Sequence, residues 1–150
     1  MLRQLSVLVH LLAAMAWVGG MFFAYFCLRP AAAQVLQPPQ RLPLWTATFQ
    51  RFLKYTAVAV VLILATGLGM YMESGARNAP IGWHIMMTLG FVMAAVFGYV
   101  YAILYPELRK HCEAAAWPDA GKTLNRIRQL VAINLALGVA TVIAAIAPRF

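Results

Sequence analysis

The side chains able to ligate a metal are few and unevenly placed. Three histidines, eight methionines and two cysteines stand against only four carboxylates. His10 and His84 fall in apolar stretches and His111 in a basic one. Neutral imidazole is a common ligand of haem iron, copper and zinc. Met70, Met86 and Met87, with Met15 and Met72, gather toward the same end of the apolar stretches as those two histidines. Thioethers suit copper(I) or an axial position on haem. Each residue also has a plainer reading: His10 as a hydrogen-bonding side chain between helices, His84 as a headgroup contact beside Trp83, the methionines as gap fillers. Trp17 shares a helical stripe with His10 and Ala14, which would make it the wall of a pocket entered by His10. Asn134 is a second polar group in an apolar stretch, suited to capping a cofactor or bridging two helices. Arg126 and Arg128 suit a propionate, a lipid phosphate or simple anchoring.

Other chemistries are disfavoured by the acids. Glu73, Glu107, Glu113 and Asp119 all lie outside the longest apolar runs, so the membrane-embedded carboxylate used by proton-coupled transporters is missing. Paired-carboxylate hydrolysis and a serine triad lack their acids for the same reason. Cys27 and Cys112 are far apart in sequence and read as free thiols.

The elements that must position these residues follow from charge. Hydrophobic residues make up 63% of the chain and charged ones 11%, against roughly 25% charged in soluble domains. Residues 5–28, 55–72, 81–106 and 129–148 contain no Asp, Glu, Lys or Arg, and a spanning helix needs about 20 mostly apolar residues. The expectation is all-α: one domain over residues 1–150, an integral membrane four-helix bundle. The runs lack the alternation of barrel strands, and the first is too long for a signal-peptide core.

Between the runs, Pro30, Pro38, Pro39 and Pro43 predict a broken connection, with residues 44–54 as an amphipathic lead-in along the headgroups. The third helix is predicted to run on to Ala116, until Trp117-Pro118-Asp119-Ala120-Gly121 interrupts it. Residues 123–129 then begin the last helix. Ser-Gly and Asn-Ala-Pro chemistry predicts a short turn over residues 73–80. Gly20, Gly67, Gly90 and Gly138 mark places where helices approach closely or a flat cofactor enters.

The net charge of +8 reports topology rather than nucleic-acid binding. Nine of the twelve Lys and Arg flank or lie in the first and third connections: Arg29, Arg41, Arg51, Lys54, Arg109, Lys110, Lys122, Arg126 and Arg128. Only Arg3, Arg77 and Arg149 lie on the other side. The bias predicts both termini on the outer, periplasmic side of a bacterial inner membrane. If the first span starts near Leu5 and the third near Trp83, His10 lies about 8 Å and His84 about 2 Å below the outer face. The two imidazoles would then face each other. The partners expected are the lipid bilayer, a redox partner of unknown identity, and a further copy of the chain in a homo-oligomer or another subunit of a larger complex.

The stretch His10-Leu-Leu-Ala-Ala-Met-Ala-Trp17-Val-Gly19-Gly20-Met-Phe-Phe resembles the first helix of the copper-resistance protein D (CopD) family. Thr66-Gly67 and Gly82-Trp83-His84-Ile85-Met86-Met87 extend the likeness. The chain is also similar in size and in its ending, residues 126–134 and 148–150, to the small four-helix protoporphyrinogen oxidase of the same superfamily. The resemblance implies a haem b site ligated by His10, with His84 as the second axial ligand and Met70, Met86 or Met87 as substitutes, serving electron transfer. The alternative it implies is copper capture and transport by His10, His84 and the outer methionines. A lysine important to the oxidase is replaced here by Met87, so the resemblance does not carry that activity, and whether the chain is an enzyme stays open.

Reporter fusions are expected to place both termini outside and the first and third connections inside. Neutralising Arg109, Lys110, Lys122, Arg126 and Arg128 together should blur that orientation more than neutralising Arg3 and Arg77; cytoplasmic termini would refute the reading.

Overall fold

In hydrocarbon a chain must satisfy its backbone hydrogen bonds internally, and the helix is the local way to do so. A computed structural model describes residues 1–75, 77 and 79–146. Each charge-free run lies in one long helix: α1 (Leu2–Val35), α2 (Pro38–Glu73), α3 (Ile81–Glu113) and α4 (Trp117–Ile146). These four, long and apolar enough to cross a membrane, make an all-α membrane bundle. The end of the fourth run at Pro148, with Arg149, Phe150 and the Asn78 of the second turn, lies outside the described residues.

Two of the helices, α1 and α3, continue through a proline by widening ahead of it. A proline lacks the amide hydrogen and clashes with the carbonyl four residues back. In α1 the backbone widens to a π-helix over Phe23–Leu28, two residues before Pro30. In α3 it does so over Val100–Leu104, two residues before Pro106. The Arg29 N–H reaches back to the Ala24 carbonyl and the Tyr105 N–H to that of Val100, each five residues away. The wider turn absorbs the ring without ending the helix.

The prolines of the first connection act differently from expectation. The break is only Leu36 and Gln37; Pro38 and Pro39 occupy the first turn of α2, where their missing N–H is harmless, and Pro43 is carried inside it. The stretch expected to lie along the headgroups is part of this helix. Trp45, Phe49 and Leu53 are buried against Leu104, Leu108 and Ile127. Likewise Trp117-Pro118 starts α4 instead of interrupting the chain, with Asp119 in the first turn, where the helix dipole favours an acid. The third helix stops at Glu113, and Ala115 takes a left-handed φ of 52°. The Ala116 N–H then bonds the His111 carbonyl, a C-terminal motif usually made by glycine. Gly75, with φ 66°, ends α2 in the same way.

α1 packs on α2 and α3 on α4, and the two hairpins close against each other. The end carrying the basic connections is the better packed: Leu104, Leu108, Ala120 and Ile127 are all but inaccessible, and Thr123 donates to the Glu107 carboxylate at 3.0 Å. Large apolar side chains such as Leu8, Leu12, Phe23, Val61, Ile85 and Ile143 face outward, as lipid-facing positions of a membrane helix do.

Close approach is needed only at some glycines. A Cβ on Gly20 would fall on the Phe52 ring and one on Gly138 would lie 3.1 Å from Val18, whereas Gly19 faces open space. Gly20→Leu should therefore destabilise the detergent-solubilised protein by about 1–3 kcal/mol, while Gly19→Leu should change its stability by less than about 0.5 kcal/mol. Thermal unfolding of the two variants checks the contrast.

Candidate metal centre

The half of the bundle that carries the termini encloses a cavity of about 280 Å³ walled by all four helices. α1 contributes His10, Ala14 and Trp17; α2 contributes Gly67, Met70 and Tyr71; α3 contributes Trp83, Met86, Met87, Gly90 and Met93; α4 contributes Gly138 and Thr141. His10, Trp17, Met70, Met86 and Met87 thus line one cavity, together with Ala14, Gly67, Gly90 and Gly138, also singled out in the sequence. The space exists partly because Gly90 has nothing within 4 Å of its missing side chain.

His10 is held in a defined tautomer. Its Nδ1 lies 2.9 Å from Thr66 Oγ1. The Thr66 hydroxyl has one hydrogen, and it donates this to the Leu62 carbonyl at 2.6 Å. With that hydrogen on the carbonyl, the hydroxyl oxygen accepts from the ring, which assigns the hydrogen to Nδ1 and leaves Nε2 its lone pair. A hydrogen bond on one imidazole nitrogen is the usual means of preparing the other as a ligand. Gly67 makes room for the ring, since a Cβ there would meet His10 Cε1 at 3.1 Å.

His84 sits elsewhere. It does not line the cavity; its Nδ1 is 2.9 Å from the Tyr71 hydroxyl, and the two rings meet edge to face. The two imidazoles therefore do not both line the cavity, since helical rise sets the depth of a residue while the azimuth is set by packing. Met15 (70% exposed) and Met72 (66%) point outward and take no part. Asn134, 3% exposed, lies below the cavity and bridges helices: its Nδ2 donates to the Met93 carbonyl at 3.1 Å. Trp17, 4% exposed, is both a wall of the cavity and an edge-to-face partner of Phe97. Cys27 and Cys112 are free and lie at the other end. Sequence reasoning did not single out Tyr71, or Thr66 as the partner of His10, whereas Gly90 was among the glycines marked as room for a cofactor. The helical spacing of Gly67, Met70 and Tyr71 was the available signal.

The donor set is one imidazole and the thioethers, with a phenol nearby. Among the described residues no three His, Cys, Asp or Glu side chains come together. The lining gives hard oxygen-seeking ions no carboxylate, whereas a soft ion finds thioethers and an imidazole.

The family model for copper resistance protein D matches residues 46–147. The chain belongs to the copper resistance protein D family. It is accordingly a multi-pass membrane protein related to copper resistance. No curated protein and no solved structure matches it. The matched region takes in the α2, α3 and α4 walls of the cavity, including Met70, Met86 and Met87, and leaves out His10 and Trp17. In this CopD protein the part played by α1 therefore rests on geometry. The match does not extend to protoporphyrinogen oxidase.

Nor does the match support haem b, and the cavity fits it poorly. Its volume falls just below the range of organic-ligand pockets, roughly 300–1,000 Å³. No lining side chain is cationic, so propionates have no partner, and the second imidazole is turned onto Tyr71.

In the membrane-inserted protein, ¹⁵N NMR of labelled histidine should show His10 with a protonated Nδ1 and a lone-pair Nε2. Thr66→Val should abolish that preference; a protonated Nε2 in the wild type would contradict the assignment.

Proposed function

We propose that this CopD protein binds copper(I) in the cavity at the terminal end of the bundle, with His10 Nε2 and the thioethers of Met70, Met86 and Met87 as its ligands. The observation that carries the reading is the juxtaposition of a lone-pair nitrogen with three thioethers in a space that holds no carboxylate. Neutral donors leave the charge of the ion uncompensated in a low-dielectric site. The Born cost rises with the square of the charge, so a divalent ion would incur about four times the penalty of a monovalent one. Soft ligands and low charge both select copper(I). Gly90 and Gly67 supply room, Trp17 closes the inner side, and Tyr71 and Trp83 stand at the outer side. The nine-to-three distribution of basic residues supports an orientation with this cavity toward the periplasmic face of the inner membrane, where it would take copper from outside. A role in carrying the ion across the membrane follows the same direction.

Copper(I) titration of the detergent-purified protein under reducing conditions, in competition with a chromophoric chelator, tests the reading. One ion per chain is expected. Changing only the hydrogen-bond partner of a metal ligand costs roughly 10–100-fold in affinity, so His10→Ala should cost about 100-fold or more and Thr66→Val about tenfold. Gly90→Leu should block binding by filling the space, and His111→Ala should leave it unchanged. A Soret band in the dithionite-reduced protein, lost in His10→Ala, would overturn the copper reading in favour of haem.

A further inference from the structure

At the opposite end of the bundle lies a second cavity, about 380 Å³, that the copper reading does not use. Three arginines from three helices line it: Arg29 of α1, Arg41 of α2 and Arg128 of α4. All three are half-buried. Its apolar side is formed by Ala24, Phe49 and Val131, and Trp45 and Trp117 flank it.

These guanidinium groups have no counter-charge among the described residues. The acids at this end are all engaged elsewhere. Glu113 pairs with Arg109 at 2.8 Å, Asp119 with Lys122 at 3.4 Å, and Glu107 accepts from Thr123 while lying 3.6 Å from His111. None of Arg29, Arg41 and Arg128 makes a side-chain hydrogen bond among the described residues; Arg29 is held instead over the Tyr25 ring, 5.2 Å from its centroid. Three like charges converging on a half-buried space repel one another unless an anion joins them.

Position identifies the kind of anion. Arg29 directly follows the first charge-free run and Arg128 directly precedes the last. Both therefore stand at the edge of the hydrocarbon, where lipid phosphates lie. The apolar side of the cavity continues from them toward the membrane interior. We infer that this cavity is a binding site for a phosphate group carrying an apolar chain, the headgroup of an anionic phospholipid. Arginine forks hold the phosphate oxygens, and basic pockets between membrane helices bind anionic headgroups in this way. A free phosphate offers the same oxygens without the chain, so the experiment separates the two sources.

The full chain, stripped of lipid in detergent, is offered phosphatidylglycerol, phosphatidylcholine or inorganic phosphate. Retention is read by native mass spectrometry and protection by thermal unfolding. Phosphatidylglycerol should be retained about tenfold better than phosphatidylcholine, and Arg41→Gln with Arg128→Gln should remove about tenfold of that preference. Arg51→Gln with Arg109→Gln, which changes two exposed arginines, should preserve it. Protection by inorganic phosphate as strong as by phosphatidylglycerol would support the anion site and identify its occupant as a soluble phosphate. Equal retention of the two lipids together with no effect of phosphate would overturn the inference. So would a folded Arg41→Gln, Arg128→Gln protein with undiminished preference. Should that variant fail to fold, the lipid comparison on the wild type still decides, and Arg41→Lys with Arg128→Lys, which keeps charge but loses the fork, should weaken retention.

Discussion

The requirement that no backbone amide be left unpaired in hydrocarbon governs this structure. It carries through to the basic edge of the membrane at Pro30 and Pro106, each of which removes a donor from a helix that keeps going. Both helices solve the problem alike, by a π-helical stretch ending two residues earlier. Had either helix ended at its proline, the segments beyond would not hold their place at the basic end. Leu108 and Cys112 could not then pack against Trp45 and Ile127. The well-packed basic end, and the arginine-lined cavity beside it, follow from two helices continuing through prolines.

The two ends of the bundle are held by different forces. Beyond the hydrocarbon, water drives burial, and that is where Leu108, Ala120 and Ile127 lose nearly all their exposure. Within the membrane no such force operates between helices, and association relies on close contact and polar bridges. Gly20 against Phe52, Gly138 against Val18, and Asn134 to the Met93 carbonyl are such contacts. They join the helices at a few points and leave space between them, and the cavity of His10 occupies part of that space.

Much of this was legible in the sequence and some was not, for definite reasons. Absence of charge is an absolute signal in a membrane chain, so the four runs located the helices. The rise of a helix gave depth, which put His10, Met70, Met86 and Met87 at one level. Azimuth was not legible: His84 has the right depth but turns to Tyr71. Aromatic spacing at Trp45, Phe49 and Phe52 looks the same whether the apolar face meets lipid or another helix, and the choice of lipid was mistaken. Trp117-Pro118 carries the composition of both a breaker and a first turn. Only the packing of Ala120 and Thr123 against α3 distinguishes them. The role of Thr66 lay hidden because a threonine bonding its own helix is common, and its value here depends on the ring of another helix.

Between the two cavities stands an apolar layer of Trp17, Met21, Val60 and Met93, and it constrains any movement of copper across the membrane. An ion held by His10 has no polar route through that layer as it is packed. Yet the layer is not uniformly secure. Asn134 Oδ1, buried next to it, has no partner among the described residues, and an unsatisfied buried acceptor costs about 1–3 kcal/mol. Met93 belongs to both the layer and the cavity wall, and its carbonyl receives the other end of the same amide. On the copper reading, Trp17 and Met93 are the two layer residues that also line the cavity, and of these Met93 carries a thioether. The soft donor of the layer and the unpartnered amide oxygen thus lie on neighbouring residues joined by one hydrogen bond.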